Sequence, residues 1–336
     1  MGSSRQYTLY FSARAWGWTE LELFAELAEY LNKTGRPTKL CRARHFGLRW
    51  RRFQVPWPIG ESCAVLLNER TGQFGVMVCE DKVRGSYLAL RAIASDPRCR
   101  VILKQQYRGE YYKAPWASKV RPWTYLASHP KRLQALLPRL RRANRTQAGL
   151  FFRGNFGVGG RQGILQRLAH NGRLAVASTA ADTSFEQYCA ELSTHQLALA
   201  LPGHGALCHR EIEAFGIGTP VLMPRQPNEL HDALIPEHHY LSADVDVTTA
   251  SARRIAEAIE ARYLEVHRSG ELLQRIANNA KQWYDANAAF PSALQLTASL
   301  LGLLHSFPAD KEGSRIASLR ARDDAVAAFE TPPSNS

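Results

Sequence analysis

An α/β protein of two domains is what this sequence predicts, on three observations. Apolar runs at strand period alternate with apolar runs at helical period. Residues 201–224, LPGHGALCHREIEAFGIGTPVLMP, read as a complete βαβ-like unit: glycine-broken turn, short helix, buried strand ending at a proline. The length, 336 residues with 45% hydrophobic side chains, suits two cores of ordinary size.

The elements follow in order. Tyr7 to Phe11 alternates as a first strand, and LELFAELAEYL places Leu21, Phe24, Leu27, Ala28 and Leu31 at helical spacing. Cys63 to Leu67 and Phe74 to Cys79 read as strands about the turn Arg70-Thr71-Gly72, so a mixed sheet is expected here. A helix from about Ser86 to Ser95 and a strand at Arg100 to Lys104 come next. The aromatic stretch that follows, with Tyr107, Tyr111, Tyr112, Trp116, Trp123 and Tyr125, suits either sugar stacking or core packing. His129 to Arg145 forms a basic amphipathic helix that bridges the domains, for which ordinary packing is favoured over a membrane surface. Beyond His305 the chain is polar and reads as a loose tail.

Two segments carry chemistry. In residues 201–224, Pro202, Gly203 and Gly205 let backbone approach a ligand, and a helix from near Ala206 aims its free N–H groups at the turn. Arg210 adds a forked cation suited to a diphosphate, and Glu213 can accept hydrogen bonds from ribose hydroxyls. The plainer alternative is a tight turn with a solvated Arg–Glu pair. Residues 150–161, LFFRGNFGVGGR, repeat the pattern: a strand end delivers Arg153 and Gly154, and a glycine-rich loop delivers Arg161 at a helix start. No Gly-Lys-Ser/Thr follows, so this is not a P-loop.

These pieces resemble the C-terminal half of a GT-B glycosyltransferase, of the branch holding protein O-glucosyltransferases and capsule xylosyltransferases, with exostosin-like enzymes more distant. FFRG with Arg161, FEQYCAELSTHQLALALPGHG, REIEAFGIGTPVLMP, LIPEHHYL with the acidic DVDV, and IANNAKQWYDANAAF come in the family's order, over nearly half the chain. The resemblance implies two Rossmann-like domains facing each other across a cleft. It assigns residues 1–128 to the acceptor side, 129–147 to the linker helix, 148–305 to nucleotide-sugar binding and 306–336 to the tail. It implies that Arg153, Gly154, Arg161, Gly203, Gly205 and Arg210 face the donor diphosphate, that Glu213 binds the donor ribose, and that His204, His239 and Tyr240 shape the pocket. The chain departs from the family in carrying His204 and Cys208 where Ser or Thr is usual.

The reaction implied is transfer of a sugar from a nucleotide-sugar donor to a glycan or lipid-linked acceptor in bacterial surface polysaccharide assembly, metal-independent, with inversion expected and retention the alternative, since no motif fixes the stereochemistry. The catalytic base is expected from the N-terminal domain, where related O-glucosyltransferases carry an Asp and this chain has Gln106 and Tyr107. Asp81, at the end of FGVMVC, is favoured, with Glu110 second.

Charge and cysteines bound the rest. Residues 1–150 carry 27 lysines and arginines against 10 acids, a charge of +17, whereas residues 151–336 are at −4. Such a basic half can hold an anionic membrane surface, an acidic polysaccharide or nucleic acid. Its densest patch is Arg42, Arg44, Arg49, Arg51 and Arg52 with Phe46, Trp50 and Phe53, and a non-catalytic glycan or nucleic-acid binder using it is the alternative function. No RNA-binding signature accompanies the patch, so nucleic acid is the less expected partner. Six cysteines without CxxC spacing are expected to be reduced, and neither metal nor cofactor is expected. No apolar run reaches about eighteen residues and the first residues lack a signal-peptide core, so a cytoplasmic protein is expected, with the inner membrane face as an optional docking surface.

Overall fold

A computed structural model describes residues 6–12, 19–43, 63–79, 87–158, 160–178 and 183–302. Asp81 and the basic patch from Arg44 to Phe53 lie outside the described residues.

The first domain contains β1 (Tyr7–Ser12), α1 (Thr19–Lys33), β2 (Thr38–Ala43), β3 (Cys63–Asn68), β4 (Phe74–Val78), α2 (Tyr87–Ser95), β5 (Cys99–Lys104) and β6 (Val120–Pro122). The strands order as β2-β1-β3-β4-β5-β6. Strand β3 is antiparallel to β1 and β4, and every other pair is parallel, so the sheet is mixed. The cause is the tight turn: Asn68 Oδ1 accepts from the N–H groups of Arg70 and Thr71, and Gly72 takes φ +69°. All residues of β3 and β4 are buried, which is why both read as continuous apolar runs.

The second domain contains α3 (Pro130–Leu140), β7 (Gln147–Arg153), α4 (Arg161–His170), β8 (Leu174–Ser178), α5 (Phe185–Thr194), β9 (His195–Leu199), α6 (His209–Ile217), β10 (Val221–Met223), β11 (Leu241–Ser242), α7 (Ala252–Val266) and α8 (Gly270–Asn287). Its sheet is parallel throughout, in the order β11-β10-β9-β7-β8. From β7 the chain builds first to one side, to β8, and then to the other, to β9. The reversal creates a topological switch point, and in open α/β sheets a crevice opens there, outside the carboxyl ends of the strands.

Three expectations change. The bridging helix ends at Leu140 rather than Arg145, and its apolar stripe is not available to a membrane, because Leu133, Leu137 and Leu140 pack with Phe151, Ile212 and Phe215. Helix α6 begins at His209, three residues later than expected. The last described helix, α9 (Phe290–Gly302), does not stay with residues 148–289. Its apolar face, including Phe290, Ala293 and Leu301, shares a core with Leu9, Phe24 and Met77 of the first domain. Trp123 Nε1 donates to Thr297 Oγ1 at 2.9 Å and Thr124 Oγ1 donates to the Asn287 carbonyl at 2.8 Å, so the crossing is hydrogen-bonded as well as apolar.

The aromatic stretch is mostly packing. Tyr112, Trp123 and Tyr125 are buried, and Tyr107 stacks on Tyr112 with centroids 4.9 Å apart. No helix among the described residues is long and apolar enough to cross a membrane.

Gly216 in α6 shows how tightly the second core is filled, since a Cβ there would lie 2.9–3.1 Å from ring carbons of the fully buried Tyr284. Gly216→Ala is expected to destabilise the protein by about 1–3 kcal/mol through overpacking, read as a lower urea midpoint at unchanged slope. Helix propensity alone favours Ala by about 1 kcal/mol, so a higher midpoint would show that the ring has room to move.

Candidate functional site

A crevice of about 490 Å³ opens at the switch point between β7 and β9. Its walls combine Arg153, Arg161, Gly203, His204, Gly205, Arg210 and Glu213 of the second domain with Tyr125, Ser128 and His129 of the segment joining the domains. The three arginines singled out from the sequence therefore converge, but their surroundings differ.

Arg161 is 3% exposed and structurally committed. Its Nε donates to the Pro202 carbonyl at 2.8 Å, Nη1 to Asn155 at 3.1 Å, and Nη2 to Leu201 at 2.9 Å and to Cys208 Sγ at 3.5 Å. It ties the glycine-rich loop after β7 to the turn after β9, which replaces the expected role of gripping a ligand. Burial, then the nearby Arg210 charge, lowers its pKa. Arg153, at the end of β7, reaches Thr183 Oγ1 and Glu191 Oε2.

Arg210 stands apart: among the described residues it has no hydrogen bond and no ion pair, and its Nε is buried without a partner. Its guanidinium carbon lies 5.3 Å from the Phe152 ring centroid, with Arg161 at 5.7 Å from the same ring. Burial works against its charge, but Cys208, Glu211, Tyr188 and Glu213 outweigh that and raise its pKa.

The glycines leave room for side chains of the protein itself, a role the sequence did not show. None of Gly154, Gly203 and Gly205 has positive φ. A Cβ at 154 would lie 2.3 Å from Arg210 Nη1, one at 203 would lie 2.9 Å from Arg161 Nη2, and one at 205 would lie 2.5 Å from Gln106 Nε2. The protein's own polar side chains cross these turns, and the backbone must be bare to admit them.

Glu213 is buried, and its Oε1 accepts from Ser128 N at 2.9 Å and Ser128 Oγ at 2.5 Å. The Tyr188 phenol beside it has a pKa raised well above normal, by burial first and by the Glu213 charge second. His204 lines the crevice and is exposed.

His239 and Tyr240 do not line it. His239 Nδ1 accepts from Ile235 N at 3.0 Å, burial pulls its pKa down to about 4, and the Tyr240 hydroxyl accepts from Gln226 N at 3.2 Å. Both fasten the loop before β11, through His239 Nδ1 and the Tyr240 hydroxyl. Glu110 also lies away from the crevice, its side chain 60% exposed and 4.0 Å from Arg108.

Four residues escaped the sequence reading. Gln106, fully buried, donates to the Leu207 carbonyl at 2.9 Å and accepts from Asn228 Nδ2, clamping the end of β5 to the glycine turn. Ser128 and Tyr188 meet Glu213, and His209 Nδ1 lies 2.7 Å from the Leu126 carbonyl oxygen. No local pattern marks these contacts, since each joins residues 25 or more apart in sequence.

A fifth residue, Glu211, had a local signal, three residues beyond the N-cap Cys208, whose N–H it accepts at 3.2 Å.

No family model matches the chain, and no curated protein matches it. Solved structures similar to it include a glycosyltransferase from Rickettsia africae ESF-5, at 8% identity and TM-score 0.42, covering 89% of this chain and 98% of that one. WaaG, a glycosyltransferase involved in lipopolysaccharide biosynthesis, is similar at 13% identity and TM-score 0.46, over 88% and 99%. An α1,3-fucosyltransferase is similar at 12% identity and TM-score 0.39, over 91% and 94%. Likeness this loose assigns no activity.

Two outcomes are expected from the geometry. Gly154→Ala pushes a methyl into the Arg210 guanidinium, and calorimetric titration with inorganic pyrophosphate should show affinity reduced at least tenfold; equal affinity would mean that Arg210 does not face the anion. Burial raises the Glu211 pKa from 4.5 to about 7. The folded state then holds a proton that the unfolded state has lost, so this group's contribution to stability is full below pH 4.5 and falls as pH rises to about 7. Comparing urea midpoints of the parent and Glu211→Gln from pH 5 to 8, the variant should gain on the parent as pH rises; a constant difference would contradict the raised pKa.

Proposed function

We propose that this chain is a GT-B-type glycosyltransferase that holds the diphosphate of a nucleotide-sugar donor in the crevice and passes the sugar to a glycan or lipid-linked acceptor. The observation that carries the reading is Arg210, a cation without a protein partner among the described residues, lining a crevice at a switch point. A half-buried guanidinium that stays charged yet has no hydrogen-bond acceptor among the described residues keeps its forked donors available to an anion in the crevice. The ordered motifs FFRG, LPGHG and REIEAFGIGTPVLMP support the same reading.

In this proposal Arg210 and Arg153 face the diphosphate, and Arg161 holds the two loops that present them. Gly154, Gly203 and Gly205 keep those loops free of side chains where the arginines and Gln106 cross. Glu213 receives a ribose hydroxyl beside the Ser128 groups it already accepts. The charge that builds on the leaving diphosphate is met by guanidinium groups in a half-dry crevice, which makes a metal ion unnecessary. Attack from the face opposite the diphosphate gives inversion. The basic first half suits an acceptor that is itself anionic, such as a lipid diphosphate at the inner face of a membrane. Surface polysaccharide assembly in a bacterial cytoplasm is the setting that joins these features.

The test is a thermal-shift panel of UDP-, GDP-, TDP- and CMP-sugars. A ligand at about 100 times its Kd adds about 2.7 kcal/mol to stability, so one class should raise Tm by several degrees, and Arg210→Ala should abolish that rise while keeping the unliganded Tm. Melting curves unmoved by every nucleotide would falsify the reading.

A further inference from the structure

His209, the first residue of α6, lines the crevice immediately before Arg210 and is not used by the donor contacts just described. Its Nδ1 lies 2.7 Å from the Leu126 carbonyl oxygen. A carbonyl can only accept, so Nδ1 carries the proton and Nε2 keeps a bare lone pair. No protein group among the described residues bonds to Nε2. We propose that His209 Nε2 is the base that takes the proton from the acceptor hydroxyl, an inference that rests on the transferase reading.

Comparison with five other groups favours this ring. Gln106, at the end of β5, is an amide with both ends engaged, so it can take no proton. Glu110 lies away from the crevice, and Glu213 already accepts from Ser128 and the Tyr188 phenol and is assigned to the donor ribose. His129 and His204 line the crevice but are exposed, and no hydrogen bond orients either ring among the described residues. His209 is half-buried, with the Tyr125 ring 5.1 Å away and its tautomer set by Leu126. A base oriented by a third group is the arrangement general-base chemistry requires. Leu126 and Tyr125 lie between β6 and α3, so the orientation depends on the two domains being docked.

The step balances. The acceptor O–H proton moves to Nε2, and the freed oxygen pair forms the bond to the anomeric carbon. The bond from that carbon to the phosphate oxygen breaks, and its electron pair leaves on the diphosphate beside Arg210 and Arg153. The imidazolium then returns its proton to solvent as product departs.

His209→Asn tests the assignment, because an Asn amide can still donate to Leu126 while the lone pair of Nε2 is gone. The probes are UDP-glucose, UDP-N-acetylglucosamine, GDP-mannose and TDP-glucose, with Kd from calorimetry and nucleotide release measured with water as acceptor. For the donor that binds, Kd should stay within about twofold, release should fall on the order of 100-fold or more, and imidazole should restore release to His209→Ala. His209→Gln, expected to show the same loss, serves if the Asn variant has a lowered unfolding midpoint. Retained release in a folded variant overturns the assignment, and so does a wild-type protein that binds a donor without ever releasing nucleotide. A variant that loses tenfold or more in donor affinity makes His209 a donor contact, leaving the transferase reading intact. Wild-type protein that binds none of the four sinks that reading and this inference together.

Discussion

The buried guanidinium of Arg161 is the constraint on which the crevice depends. Its donors reach the carbonyls of Asn155, Leu201 and Pro202, carbonyls of two irregular segments that have no sheet or helix partner to satisfy them. One rigid fork therefore solves the hydrogen-bonding problem of two loops at once and fixes the gap between them. The glycine at 203 follows from it, since Nη2 passes where a side chain would begin. So does the lack of a hydrogen-bond partner for Arg210 among the described residues: the nearby loop carbonyls are taken by Arg161, which leaves the second cation the Phe152 face and the field of Glu211 and Glu213.

The other wall is held by contacts that cross between domains. Gln106 spans from β5 to Leu207 and Asn228, the Glu229 N–H donates to the Tyr107 carbonyl, and the Gly109 N–H donates to Glu229 Oε1. Helix α9 adds an apolar seam by returning to the first sheet. All of these hydrogen bonds join residues more than 100 positions apart, and the two made by Gln106 are buried. Breaking one leaves a donor or acceptor unsatisfied at about 1–3 kcal/mol. Segment 123–129, which supplies Tyr125, Ser128 and His129 to the crevice, is thereby positioned from both sides.

Much of the architecture was legible locally. The alternation of periods predicted β1, β3, β4 and β5 but not β2, whose TKLCRA carries charged residues that break the apolar alternation; the Arg70-Thr71-Gly72 turn predicted the mixed sheet, and glycine-broken strand ends pointed to the loops that form the crevice. Errors arose where a residue's role depends on what crosses it in space. Arg161 and Arg210 look alike in sequence, as forked cations beside glycines. One is bonded to three carbonyls and the other has no hydrogen bond among the described residues, and only the path of the loops separates them. His239 and Tyr240 look like pocket residues from their motif, yet His239 Nδ1 and the Tyr240 hydroxyl are bonded within their own loop and neither residue lines the crevice. The helix at 290–302 was grouped with its chain neighbours because an apolar stripe does not say which core it faces.

By itself, then, the sequence determined the α/β class, the period of most elements and the two turns where backbone must be bare, because those depend on short-range sterics and hydrophobic spacing. Tertiary structure alone decided which guanidinium is committed to loop carbonyls, that Gln106 closes the end of β5, that Ser128 meets Glu213 and that the His209 ring is held by Leu126. Each of these is a hydrogen-bond assignment between distant segments. It depends on which donor reaches which acceptor first, and no local pattern encodes that.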